Sequence, residues 1–286
     1  GQHSPARLLA HPASLALGEY ALAGGGGEGS HELSSEEIAA GKATVDGLQP
    51  GKEYVVILYF KSAVRVQVDV FTGADVTGYT QISSMDELRN AVKTDGAKLY
   101  LMQAGSPYAV ADGETLEIPG EISIVGEEGA DGTKPVIQGE FSILGTAHGS
   151  IVFESVELNG MDSKFGFAIQ LKNGGGITGE VVLDEITFRN CVITGYSKGL
   201  IYEWGQSMNV ARLTWDSCDI NNINSDGTGG GDVIDFRGTA EAPLSTIGEL
   251  DIINNTIYQG MRTFIRLDFL KSLGTVKVEN NTMWNL

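Results

Sequence analysis

Apolar and polar positions in the second half of this chain alternate in a six-residue pattern that returns five times. It reads FESVEL at 153–158, FRNCVI at 188–193, WDSCDI at 215–220, IINNTI at 252–257 and VENNTM at 278–283. A large apolar residue opens each copy, a small or amide pair follows, and an apolar residue closes it. The starts lie 35, 27, 37 and 26 residues apart, as in a coil of common minimum length whose loops vary. Between copies runs a second alternating stretch: FAIQLK at 167–172, LIYEW at 200–204, VIDFR at 233–237 and FIRLD at 264–268. Alternation of period two over five or six residues predicts strands. Gly- and Asn-rich clusters such as 173–176 and 224–231 predict the turns and loops between them. A repeat of this kind cannot bury its apolar face alone and must stack on its neighbours. Two or three short strands per repeat describe a right-handed parallel β-helix; the signature residues of leucine-rich and propeller repeats are missing.

Stacking gives the small and amide positions a purpose. Asn190, Ser217, Asn254 and Asn280 share one repeat position, and Cys191, Cys218, Asn255 and Asn281 share the next. Parallel strands lie about 4.8 Å apart, so these side chains should form ladders at one corner. Asn suits a corner because it tolerates the left-handed backbone conformation and bonds to its own backbone. The sequons at Asn254 and Asn280 are accordingly read as ladder residues in preference to glycan sites. The two cysteines occupy equivalent positions on adjacent coils, with side chains pointing the same way and not toward each other. Free, buried thiols are expected.

Residues 1–75 have a different character. The segment LQPGKEY at 48–54 places Tyr54 six residues after Leu48 with Pro-Gly between, a strand precedes it at 42–45, and VVILY follows at 55–59. This resembles the tyrosine corner of fibronectin type III and immunoglobulin-like sandwiches, with 66–72 as the closing strand. Residues 76–81 read as a linker. Ser84 and Glu87 form the two ends of a capping box, and Met85, Leu88, Ala91 and Val92 make one apolar helical stripe. Such a helix would cap the open end of the coil. The β-helix is expected over 82–286, its first strands at 98–102, 115–118, 121–126 and 134–137.

The composition narrows the partners. A net charge of −18 and a pI near 4.5 argue against binding nucleic acid through its phosphates. No run of 18 apolar residues exists to span a membrane. The chain starts with Gly1 and carries no signal core, as a mature exported protein does, so membrane attachment would at most be peripheral, through a trimmed lipid anchor. It stops at Leu286, soon after a repeat motif, from which a C-terminal cap is expected to lie beyond it.

Taken in order, the type-III-like module, the Ser-x-x-Glu cap, ISIVG at 122–126 with its preceding Glu121, KPVI at 134–137 and the Asn-Asn-Thr coils resemble a group of bacterial surface or secreted proteins. These join a fibronectin-like module to a pectin-lyase-like β-helix. The resemblance covers roughly residues 30–286. It implies export from a glycan-degrading bacterium and a polysaccharide ligand, an acidic plant or host glycan; fold by itself does not imply activity.

Outward positions of stacked strands line up into a stripe that suits a linear polymer. On the second strand they include Gln170, Lys172, Glu203, Asp235, Arg237, Arg266 and Asp268, while Tyr202 and Trp204 are ambiguous in phase, because Glu203 falls where Leu171 and Leu267 point inward. Cutting a uronic acid polymer by β-elimination needs a base for the C5 proton, neutralisation of the adjacent carboxylate, and protonation of the leaving oxygen. Lyases of the resembled fold use Lys or Arg as base and often carboxylate-bound Ca²⁺ as neutraliser. By that resemblance Lys172, Arg237 and Arg266 are the candidate bases, Glu203, Asp235 and Asp268 the candidate Ca²⁺ ligands, and Gln170, Tyr202 and Trp204 the candidate sugar contacts. The competing reading of the same stripe is cross-strand ion pairing on a solvated face. A Ca²⁺-loop pattern also begins at Asn222, with Asn224, Asp226 and Gly227 in place, but its twelfth position is Val233 where a Glu is needed.

Other chemistries fit worse. His3, His11 and His31 precede the coil and His148 stands alone, which disfavours Ser–His or zinc sites. The Gly-His-Gly segment and clustered aspartates of pectin-cleaving glycosidases are missing. Asp235-Phe-Arg-Gly238 is only faintly similar to the Asp-Phe segment of pectin methylesterases. Trp215 takes a core position. Two functions from different classes remain: a lyase acting on acidic glycans, and a non-catalytic glycan-binding or structural surface protein.

Overall fold

A computed structural model describes residues 6–7, 20–24, 30–40, 44–45, 53–60, 63–71, 73–103, 105–111, 113–129, 131–145, 147–162, 164–171, 180–204, 207–223, 232–237, 245–259, 263–268 and 270–284. The chain divides into two compact units, Gly1–Asp75 and Val76–Leu286.

The first unit contains a four-stranded antiparallel sheet in the order Ser30–Glu32, Tyr20–Gly24, Glu53–Phe60, Ala63–Phe71. A separate antiparallel pair joins Ala6–Arg7 to Thr44–Val45. It also holds a helix that the alternation pattern did not predict, Ser35–Ala40. Its start is a reciprocal cap: Glu37 N donates to Ser34 Oγ at 3.2 Å and Ser34 N donates to Glu37 Oε2 at 2.8 Å. Tyr54 is half-buried, while the Leu48, Pro50 and Gly51 of its expected corner lie outside the described residues.

The second unit is a parallel β-helix. Each coil contributes one strand to each of three parallel sheets. Coil 1 is Ala97–Leu101, Tyr108–Ala109 and Leu116–Ile118; coil 2 is Ile122–Gly126, Val136–Gln138 and Phe141–Ile143. Coil 3 is His148–Glu154, Glu157–Asn159 and Phe167–Leu171; coil 4 is Glu180–Arg189, Val192–Thr194 and Gly199–Trp204. Coil 5 is Ser207–Asp216, Asp219–Asn221 and Asp232–Arg237; coil 6 is Thr246–Ile253, Thr256–Tyr258 and Thr263–Asp268. Ser272–Glu279 and Thr282–Trp284 begin a seventh. Thr80–Ile82 pairs in parallel with the first strand of coil 1, so residues 80 and 81 belong to the coil and not to a linker.

The register carries the core. Leu99, Ile124, Phe153, Phe188, Trp215 and Ile252 stack in one row of the first sheet, all 2% exposed or less. The rings of Phe153, Phe188 and Trp215 lie nearly parallel with centroids 5.3 and 5.4 Å apart, adding ring–ring attraction to area burial. One end is closed by the helix Met85–Ala91. Its capping box on Ser84 and Glu87 is complete, Leu88 and Val92 are buried, and Met85 and Ala91 pack against the core. At the other end the inward rows finish in Leu273, Val276, Val278 and Met283, which are exposed.

The corner between the first two sheets turns through left-handed residues. Ser155, Asn190, Ser217, Asn254 and Asn280 all have φ between 49° and 59°, the conformation Asn adopts at least cost. Asn190 Nδ2 donates to Ser155 Oγ at 2.9 Å and Asn280 Nδ2 to Asn254 Oδ1 at 3.3 Å. One residue on, the side chains turn inward to satisfy buried backbone. Asn255 Nδ2 donates to Trp215 O at 3.0 Å and its Oδ1 accepts from Cys218 N at 2.8 Å. Cys191 and Cys218 take the same place as free, buried thiols, each donating to a backbone carbonyl of the preceding coil, Phe153 O at 3.5 Å and Phe188 O at 3.4 Å. Burial, and then the neighbouring Cys191, push the Cys218 thiol well above its ordinary range.

Candidate functional site on the third sheet

The outer face of the third sheet collects most of the charged and aromatic candidates. Its strands put Gln170, Tyr202, Asp235 and Arg266 side by side in one row across coils 3 to 6. A second row holds Trp204, Arg237 and Asp268. The alternation therefore predicted the neighbours correctly, since Ile234, Phe236, Ile265 and Leu267 pack on the inner side.

The burial of these rows differs from a solvated stripe. Asp235 was expected to face solvent; it is 0% exposed. Alternation decides which side of the sheet a residue occupies, not what lies over it. Arg266 and Asp268 are partly open, with side chains 35% and 42% exposed, and Arg266 Nε lies 2.6 Å from Asp268 Oδ2. Arg266 Nη1 also reaches Asp232 Oδ2 at 3.4 Å, and Asp232 is fully buried. The hydrogen bond to Asp268, and after it the one to Asp232, raise the Arg266 pKa above its ordinary value. Both carboxylates favour the charged guanidinium, which disfavours Arg266 as a proton acceptor. Lys172 lies outside the described residues. Arg237 and Trp204 have their backbone in register, while their side chains lie outside the described structure.

Glu203 is the second correction. Its strand alternates from inward Ile201 through outward Tyr202, and Glu203 pairs in register with core Phe236. It is 0% exposed, and its Oε2 accepts from Ser245 Oγ at 2.9 Å, whose oxygen in turn accepts from Met208 N at 3.1 Å. Glu203 thus faces inward, Asp235 outward, and Asp268 is engaged by Arg266. The three expected Ca²⁺ ligands do not converge, and among the described residues no group of three His, Cys, Asp or Glu side chains is placed to hold a metal. The Ca²⁺-loop pattern from Asn222 falls mostly on 224–231, outside the described residues.

Four further residues complete the face. In coils 3 to 5 two consecutive residues both pack inward: Ala168 with Ile169, Leu200 with Ile201, Val233 with Ile234. The preceding residues Phe167 and Asp232 therefore fall on the outer side, against strict alternation. Phe167 stacks on Tyr202 with centroids 4.5 Å apart and an interplanar angle of 12°, fixing the Tyr202 ring against the sheet. Glu140, 7% exposed, bonds the Gln170 amide and accepts from Phe167 N at 3.2 Å. Burial raises the Glu140 pKa despite these bonds and the nearby charge of Lys198. Lys198 lies 6.0 Å over the Phe167 ring. Asp232 directly precedes Val233, the twelfth position of the loop pattern; Glu140, just before a strand, carries no local signal.

The face thus offers an aromatic plane, an amide, carboxylates and a compensated guanidinium on a ladder whose repeat is set by strand spacing. Comparisons with curated proteins and with solved structures return no match. A family model described as a domain of unknown function, DUF4957, matches residues 107–260. That segment runs from the second strand of coil 1 to the second strand of coil 6 and takes in the face up to Arg237. It spans more than half of the chain, and the protein belongs to this DUF4957 family.

Proposed function

We propose that this chain is a polysaccharide-binding β-helix protein, exported to the surface or surroundings of a bacterium, whose ligand lies along the outer face of the third sheet. The observation that carries the reading is the row Gln170–Tyr202–Asp235–Arg266, continuous over four coils, in which Gln170, Tyr202 and Arg266 are partly open while Asp235 is covered, and which is flanked by the Phe167–Tyr202 stack. A repeating scaffold presents repeating contacts, which suits a polymer, and aromatic rings supply the apolar plane on which sugar rings pack. The finer assignments, a pectin-lyase-like right-handed coil and a fibronectin-like N-terminal module, belong to the same proposal. They rest on the coil order and on the Pro-Gly-x-x-Tyr segment ending at Tyr54.

A second reading, lyase action on acidic glycans, draws on one observation: Arg237 lies in register between Trp204 and Asp268. With Arg266 compensated, elimination would depend on Arg237 or Lys172 as base. Affinity electrophoresis through gels containing soluble polysaccharides tests the first reading. Retardation by at least one polymer, weakened about tenfold in Tyr202→Ala as loss of an aromatic contact implies, is the expected result. Retardation that is the same in Tyr202→Ala as in the parent would place the ligand elsewhere. New ultraviolet absorbance from an unsaturated product on a uronate polymer, lost in Arg237→Ala, would establish the second reading instead.

A further inference from the structure

We infer that the outer face of the second sheet holds a second molecule of the polysaccharide, so that one protein molecule links two polymers; the inference rests on the sheet-face reading above and adds a second site to it. The register carries it. Gln138, Asn159, Thr194, Asn221, Tyr258 and Trp284 pair in succession from coil 2 to the seventh. Their chain neighbours Ile137, Leu158, Ile193, Ile220 and Ile257 are buried in the core, which puts the row on the outer side. All six lie partly open, Trp284 at 48%, so no member is covered as Asp235 is. With strands about 4.8 Å apart, the row runs about 24 Å along the coil.

The row consists of amides, a hydroxyl and two aromatic rings, and its own bonds fix the side chains without exhausting them. Asn159 Nδ2 donates to Glu157 Oε1 at 2.8 Å, and its Oδ1 accepts from Met161 N at 2.8 Å. Thr194 Oγ1 donates to Asn221 Oδ1 at 2.7 Å, and Asn221 Nδ2 donates to Asp219 Oδ1 at 2.7 Å. An amide carries two N–H groups and two lone pairs, so each Asn retains a donor and an acceptor for a ligand. Groups held in place beforehand lose less freedom on binding, and sugar hydroxyls, which both donate and accept, match them. Tyr258 and Trp284 stack with centroids 4.4 Å apart and an interplanar angle of 2°. The half-open indole adds apolar surface of the kind on which sugar rings pack. The second and third sheets follow one another around each coil. Both rows run along the stacking direction, so a polymer on one face lies beside the other row and leaves it open to a separate molecule.

The test is light scattering of the whole protein titrated into soluble galactan, mannan, xylan, mixed-linkage glucan, polygalacturonate and alginate, beside affinity electrophoresis in the same polymers. A two-faced protein links polymers at intermediate ratios and merely coats them when in excess. With any polymer that retards the parent, scattering should therefore pass through a maximum at least about threefold above the separate components. Trp284→Ala and Asn221→Ala, changes at partly open side chains two coils apart, should each lower that maximum by at least about half. Both should still be retarded, because the third-sheet row is intact, and circular dichroism checks that both keep the fold. An undiminished maximum in either folded variant, or no maximum with a polymer that retards the parent, overturns the inference while leaving the third-sheet site standing. Failure of every polymer to retard the parent overturns the site and the inference together.

Discussion

Replacing Asn255 by Ala should destabilise the coil by an amount readable from its hydrogen bonds. Asn255 is 1% exposed. Its oxygen is an acceptor for the Cys218 N–H at 2.8 Å, and its amide donates to Trp215 O at 3.0 Å and Asn281 Oδ1 at 2.9 Å. Alanine removes these groups and leaves the Cys218 N–H without that acceptor at a dry corner. An orphaned buried donor costs about 1–3 kcal/mol and an under-satisfied carbonyl somewhat less. The sum is about 2–4 kcal/mol, a fall in Tm of about 5–15 °C for a unit of this size. Asn255→Cys is the informative control, because the fold already places Cys218 above Cys191. A thiol there can donate to Trp215 O as Cys218 Sγ does to Phe188 O at 3.4 Å, so the loss should be roughly half that of Ala. Thermal melting followed by far-ultraviolet circular dichroism, with urea titration alongside, measures both. A Tm for Asn255→Ala within about 1 °C of the parent would refute the reasoning, and so would a cysteine variant less stable than the alanine one.

Cys191 and Cys218 should be inert to a thiol reagent in the folded protein at mildly alkaline pH, because burial keeps the Cys218 thiol protonated, and both should react once urea unfolds the chain; rapid labelling of the native protein contradicts this. Glu140 has a folded-state pKa raised by burial, so its stabilising contribution is complete below the ordinary carboxylate range and is lost as pH rises through the raised value. The Tm of Glu140→Gln relative to the parent should therefore climb as pH rises from the ordinary carboxylate range through the raised value, and a flat difference would show that the shift is not there. Arg266→Ala, which the alternation pattern alone treats as a harmless surface change, takes a cation from fully buried Asp232. It should cost about 1–2 kcal/mol, discounted for the half-open guanidinium, and a loss in urea denaturation below about 0.5 kcal/mol would show that the pair is idle.

Much of the coil was legible because one physical rule governs each part of it. Period-two alternation set the side of Ile234, Phe236, Ile265 and Leu267. The Asn and Ser positions marked the left-handed corner, since few other residues tolerate positive φ, and Ser84 with Glu87 marked the cap helix. The same Ser-x-x-Glu signal stands at Ser34 and Glu37, but the helix that follows is only six residues long and lacks a broad apolar stripe. The site was less legible for reasons that local pattern does not contain. Asp235 lies on the predicted side but is covered, and cover depends on residues far away in sequence. Glu203 occupies a row of Leu and Phe, where a carboxylate needs partners to be tolerable, and Ser245, which bonds it there, stands forty-two residues on. Phe167 and Asp232 turn outward because two neighbours in succession pack inward, a break in alternation with no marker residue.

Hydrogen–deuterium exchange of the chain with and without its best-binding soluble polysaccharide tests the central claim most directly. Bound polymer should slow exchange in Phe167–Leu171, Gly199–Trp204, Asp232–Arg237 and Thr263–Asp268, while strands of the first sheet such as Glu180–Arg189 and Ser207–Asp216 keep their rates. Protection confined to the first or second sheet, with the third unchanged, would contradict the account.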